Sequence, residues 1–203
     1  MMPMIETADP LLGLTALLAY GLGSVPFGIV MAQLFGLGDL RAVGSGNIGA
    51  TNVLRTGNKV AAFLTLVLDA GKGAAAVLVA RALLGEDAAQ LAGFAAFLGH
   101  CFPVFLGFKG GKGVATFLGT LIALAWPIGL AACACWAVTA VLFRMSSLAA
   151  LVAAALSPLA AWLLGQPTTM VFCAALAALI FIRHHANIGR IARGTEPRIG
   201  KKT

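Results

Sequence analysis

Residues 113–143 read GVATFLGTLIALAWPIGLAACACWAVTAVLF, apolar from end to end and interrupted only by Trp126-Pro127. One membrane helix needs ~20 apolar residues, so this run is either one kinked helix or two short ones. The choice decides the fold, because one helix leaves the chain on the far side of a bilayer and two return it. The rest of the 203 residues sets that frame: 60% are hydrophobic, 10% are charged, and the mean hydropathy is +0.96. Those values exclude an ordinary soluble domain and indicate an integral membrane protein.

Five further runs have membrane length or nearly so: 11–35, 59–84, 88–107, 147–164 and 168–183. If 113–143 is two helices, there are seven spans with the N-terminus outside and the C-terminus cytoplasmic. Arg41, Arg55, Lys59, Lys109, Lys112 and Arg144 then face the cytoplasm, with the tail cations Arg183, Arg190, Arg193, Arg198, Lys201 and Lys202. Arg81 alone lies near the outer side, beside Glu86 and Asp87. With one helix, Arg144 and the whole cationic tail would lie outside. The excess of Lys and Arg in cytoplasmic loops selects seven. The N-terminal MMPMIETADP has no Lys or Arg, so it lacks the basic region of a cleavable signal, and the first run is expected to be retained. Cys101, Cys133, Cys135 and Cys173 all fall in apolar runs and read as packing residues rather than a disulfide or metal framework. With no soluble segment or repeat, 1–203 is expected to be a single integral membrane domain.

Every polar, glycine-rich segment of any length then falls on one side: 36–58, 107–113, 144–147 and 183–203. Gly44, Gly46 and Gly49 match G-x-G-x-x-G, but no βαβ unit fits between two spans, so a dinucleotide fold is excluded. FKGGKGVAT at 108–116 fails as a Walker loop, with Leu106 where its first glycine belongs and Gly113 after Lys112. The underlying physics remains. Glycines let successive N–H groups converge on an anion, and nearby Lys or Arg adds charge. The first loop offers Ser45, Gly46, Asn47, Gly49, Thr51, Asn52 and Arg55; the second offers Gly110, Gly111, Lys112 and Gly113. Two phosphate-sized sites on one face are expected. In the tail, His184 and Asn187 are three apart and share a helix face, placing His184 where it could donate to a phosphate. Asp69 and Lys72, at the same spacing inside the second run, read as a mutually neutralising pair. His100 is open between a lining role and a packing one.

Five stretches in order carry a resemblance: GSVPFG at 23–28, LRAVGSGNIGATNVLR at 40–55, LDAGKG at 68–73, GHCFPVFLGFKGGKGVAT at 99–116 and RHHANIGRIARGTE at 183–196. Together they resemble the motifs of the bacterial acyl-phosphate:glycerol-3-phosphate acyltransferases over nearly the whole chain. The resemblance implies a seven-span enzyme of the bacterial inner membrane with its site facing the cytoplasm. It implies transfer of a fatty acyl group from acyl phosphate to the 1-hydroxyl of glycerol 3-phosphate, giving lysophosphatidic acid and phosphate. Ser45, Arg55, Lys112, His184 and Asn187 would hold the glycerol phosphate, and glycine amides the acyl phosphate. Ser147 matches a family serine in SLAS, which reads Ser147-Leu-Ala-Ala150 here, so any role of the later serine is absent or dispensable.

The chemistry fits without a protein nucleophile, metal, cofactor or nucleic acid, since a mixed anhydride already carries a good leaving group. The expected partners are glycerol 3-phosphate, fatty acyl phosphate and membrane lipid. No His is followed five residues later by Asp: those positions are Phe105, Gly189 and Arg190. A transporter of phosphorylated solutes would share the cationic sites, but it would place them nearer the midplane. A lipid-binding scaffold would leave the glycine loops without a task.

Overall fold

In the computed structural model, which describes residues 4–200, the decisive run is two helices. They are α6 (Val114–Leu124) and α7 (Trp126–Phe143), separated at Ala125. Pro127 lies in the first turn of α7, where its missing N–H costs nothing. The two helices pack on each other, and Gly129 has no room for a Cβ against the backbone of Ile122. The remaining helices are α1 (Asp9–Gly23), α2 (Phe27–Leu34), α3 (Ala50–Arg55), α4 (Lys59–Leu84), α5 (Glu86–Cys101), α8 (Ser146–Leu163), α9 (Pro167–Arg183) and α10 (His185–Ala192). No strand occurs among the described residues.

Five segments are long and apolar enough to cross a membrane: Asp9–Leu34, Lys59–Leu84, Glu86–Leu106, Trp126–Phe143 and Ser146–Leu163. The pair α9 and α10, bent by 65°, makes a sixth only if taken together. With 11 residues α6 spans about 16 Å at 1.5 Å per residue, half of a ~30 Å hydrocarbon core. The run 11–35, expected to be continuous, breaks at Ser24-Val25-Pro26 because proline supplies no N–H and clashes with the preceding turn. Lys201 and Lys202 lie outside the described residues.

Packing relies on close backbone approach. A Cβ at Gly23 would meet the Ala96 backbone, and one at Gly119 the Ala70 carbonyl. Small residues of this kind are how apolar helices gain contact where lipid removes the hydrophobic drive. Phe97, Phe117, Leu121, Ile128, Leu176 and Ile180 fill the interior, while Leu17, Val79, Val141 and Leu163 point outward.

Hydrogen bonds assign the polar segments to one end of the bundle. Arg41 Nη2 donates to the Lys109 carbonyl (3.2 Å), Arg183 to those of Gly110 and Gly111, Ser147 Oγ to Glu196, and the Ile199 N–H to the Arg144 carbonyl (2.6 Å). At the other end Arg81 pairs with Glu86 and donates to the carbonyls of Ala123 and Leu124, capping the end of α6. Asp87 there receives the N–H groups of Glu6 and Thr7.

Candidate active site

A cavity of about 590 Å³ opens where the first loop, the second loop and the tail meet. Ser45, Asn47, Gly49, Thr51, Asn52 and Arg55 line it from the first loop. Lys112 and Gly113 reach it from the second, Ser147 from the start of α8, and His184 and Asn187 from the tail. Gly46, Gly110 and Gly111, expected at the site from sequence, are not part of that lining. Below the polar end the walls turn apolar: Phe63 and Leu66 of α4, Leu118 and Ile122 of α6, and Trp136 of α7.

Asn52 organises the first loop. Its side chain, 1% exposed, donates from Nδ2 to the Leu40 carbonyl (2.8 Å). Its Oδ1 accepts from the Ser45 N–H (3.2 Å), the Ser45 hydroxyl (3.4 Å) and Arg55 Nη1 (3.2 Å). Asn52 thus holds Ser45 and Arg55 at the cavity edge, with its own polar atoms committed to the loop. Gly44, at φ 52°, sits where a Cβ would strike the Arg55 side chain, so both its backbone and its space call for glycine.

Arg183 shapes the second loop. Its Nε donates to the Gly111 carbonyl (3.1 Å) and its Nη2 to those of Gly110 and Gly111 (3.0 Å each), while its guanidinium lies 5.0 Å over the Phe102 ring. With those carbonyls drawn toward Arg183, the chain enters α6 through Gly113 at φ 79°, where a Cβ would run into Phe97. No side chain caps α6, so its first N–H groups remain available beside the cavity-lining Gly113, Val114 and Ala115.

The tail supplies a network that the sequence did not reveal. Lys112 Nζ donates to Asn187 Oδ1 (2.5 Å), and Asn187 Nδ2 donates to Glu196 Oε1 (2.6 Å). Glu196 also accepts from the Ser147 hydroxyl (2.7 Å) and from Arg190 Nε (2.7 Å). Burial pushes the Glu196 carboxyl up, but these three hydrogen bonds outweigh it and hold it below its ordinary range. Burial pushes the Lys112 ammonium down to about 8, with Glu196 opposing and Arg190, Arg183 and Arg55 adding to the fall. Burial likewise lowers Arg55. His184, 2% exposed, has Nδ1 at 2.8 Å from the Ile180 carbonyl. A carbonyl only accepts, so Nδ1 carries the proton, and a neutral His184 presents Nε2 as an acceptor, suited to a hydroxyl rather than to the phosphate expected from sequence. Glu196, the one acid among the tail cations from 183 to 203, was the available signal for this network.

The bundle and its cavity define an all-helical integral membrane protein with a cationic, amide-rich recess joined to an apolar groove. Residues 13–194 match the family model described as glycerol-3-phosphate acyltransferase. The chain is 84% identical over 201 residues to the glycerol-3-phosphate acyltransferase of Jannaschia sp. (strain CCS1), covering 99% of both chains. It is 64% identical over 201 residues to that of Dinoroseobacter shibae, again covering 99% of both. Among solved structures it is similar to the glycerol 3-phosphate form of PlsY (YgiH), an integral membrane glycerol 3-phosphate acyltransferase. That likeness has a TM-score of 0.88 at 41% identity and covers 93% of this chain and 96% of that one. The lysophosphatidic acid form of PlsY matches with a TM-score of 0.84 at 37% identity, covering 93% and 95%. The chain belongs to the glycerol-3-phosphate acyltransferase family.

Proposed function

We propose that this protein transfers a fatty acyl group from acyl phosphate to the 1-hydroxyl of glycerol 3-phosphate. The products are lysophosphatidic acid and inorganic phosphate. The observation that carries the reading is the continuity of the cavity: a cationic end with Arg55 and Lys112 runs into a groove walled by Phe63, Leu118 and Ile122. A phosphorylated polyol fits the first part and an acyl chain the second.

In this reading Ser45, Arg55 and Lys112 hold the phosphate of the acceptor, and Asn187 and His184 orient its hydroxyl. The amides around Gly113 hold the acyl phosphate. The hydroxyl oxygen attacks the acyl carbon, the bond from that carbon to the bridging phosphate oxygen breaks, and a phosphate oxygen of the donor takes the proton. No acyl-enzyme forms. Catalysis is then positioning and charge neutralisation, which suits a substrate that brings its own leaving group. We place the enzyme in the bacterial inner membrane with seven crossings and the cavity facing the cytoplasm, a reading supported by the gathering of the polar segments at one end.

The test is phosphate release from palmitoyl phosphate and glycerol 3-phosphate by purified protein in detergent. Turnover without a sealed compartment is expected, and it excludes transport as the basis of activity. Near-native rates for folded Lys112→Ala, Arg55→Ala and His184→Ala together would overturn the site assignment.

A further inference from the structure

We propose that His100 contacts the acyl phosphate, donating a hydrogen bond from Nε2 to an oxygen of its mixed anhydride. The inference rests on the acyl-phosphate reading above. It adds a residue from the membrane interior to a site otherwise built from loops and tail.

The argument begins at Lys72. Its ammonium has three donors, and three acceptors surround it: Asp69 Oδ1 at 2.7 Å, the Val25 carbonyl at 2.9 Å and His100 Nδ1 at 2.9 Å. The Val25 carbonyl is available because α1 ends there, ahead of Pro26. An ammonium cannot accept a hydrogen bond, so at 2.9 Å His100 Nδ1 must be the acceptor. Asp69 Oδ1 is farther from the same nitrogen, at 3.5 Å, beyond the ordinary length of an N–H···O hydrogen bond. The imidazole proton is therefore on Nε2. Asp69 and Lys72 are more than a self-neutralising pair, since they fix which nitrogen of His100 is the donor.

Nε2 in turn points at the second loop. A Cβ on Gly111 would collide with Nε2, and the Gly111 N–H donates to the His100 carbonyl at 3.1 Å. The ring is 5% exposed, yet His100 and Asp69 line the cavity, and nothing among the described residues hydrogen-bonds Nε2. That nitrogen is not sealed from the cavity. A donor left open to a cavity shared by the amide-rich recess and the apolar groove suits an anhydride whose acyl chain lies in that groove.

The amide nitrogen of Gln reaches the position of Nε2, and that of Asn reaches only Nδ1. The experiment compares His100→Gln, His100→Asn and His100→Ala in purified protein that melts near the native temperature. It measures kcat/KM for acyl phosphate and, separately, KM for glycerol 3-phosphate. His100→Gln is expected within about threefold of native kcat/KM for acyl phosphate, and His100→Asn and His100→Ala down about 10- to 100-fold. KM for glycerol 3-phosphate should stay unchanged in all three. Equal activity of the Gln and Asn variants, or a loss carried by glycerol 3-phosphate, overturns the inference while leaving the reaction assignment intact. Absence of phosphate release by the native protein overturns the acyl-phosphate reading and this inference with it.

Discussion

Lys112 makes a prediction that pH can test. Its ammonium is pushed down to about 8, chiefly by burial, so it is charged below that pH and neutral above it. A phosphate needs the charged form. The second ionisation of a phosphate ester lies near 6, so kcat/KM for glycerol 3-phosphate should be highest between about pH 6.5 and 7.5 and fall above 8. One unit above the midpoint about one lysine in eleven remains protonated, which gives a tenfold loss near pH 9. Because kcat/KM reports the free enzyme, charge stabilisation by bound substrate does not obscure the limb. Glu196 raises the Lys112 value, so Glu196→Gln should move the descending limb to lower pH. Lys112→Arg keeps its charge throughout and should abolish the limb; Lys112→Met should be slow and flat. The assay is phosphate release at saturating acyl phosphate from pH 6 to 9.5, corrected for spontaneous hydrolysis of the donor. A limb with the same midpoint in Lys112→Arg would refute the assignment of that ionisation to Lys112.

Three further outcomes follow from the packing. Gly119→Val puts carbon into the Ala70 carbonyl where α4 and α6 meet, and overpacking of this kind costs ~1–3 kcal/mol, visible as a melting temperature lowered by several degrees. Lys72→Met leaves the Asp69 carboxylate buried and unpaired, a change that costs ~3–5 kcal/mol; the double variant Asp69→Leu/Lys72→Met should recover most of the melting temperature while losing the His100 orientation. Ile122→Trp fills the apolar groove and should shift selectivity toward shorter donors, by ~fourfold for each methylene excluded, measured by competing octanoyl and palmitoyl phosphates.

The helices were legible because lipid imposes a length and an apolarity that composition alone reveals, and because cations mark the loops. That is why 113–143 resolved into α6 and α7 from charge counting, with Trp126-Pro127 marking the break. The gap between α1 and α2 was legible only as a proline, since a break inside a span requires another group to take the freed carbonyl, and Lys72 lies far along the chain. That the loop residues Gly49, Arg55, Lys112 and Gly113 would gather at one cavity was readable for the same reason. Asn52 was readable as polar, but not its role in holding Ser45 and Arg55, because an amide's partners depend on the fold of the turn around it. His184 shows the limit most clearly: its sequence position suggested a phosphate donor, and its bond to the Ile180 carbonyl puts the proton of the neutral ring on Nδ1 and leaves Nε2 an acceptor.

Glu196 looks misplaced in a pocket for anions until the cations around it are considered together. Lys112, Arg55 and Arg190 converge within a half-buried recess, and unopposed like charges there would repel one another more than in bulk water. One fixed carboxylate relieves that repulsion. Through Asn187 it also turns an amide oxygen toward Lys112, so the ammonium is held by a neutral partner and keeps its charge available. A carboxylate bonded directly to Lys112 would compete with the substrate for that charge. Placing Asn187 between them keeps the electrostatic benefit without the competition, and in the proposed reading Glu196 acts on the phosphate through Asn187 and Arg190.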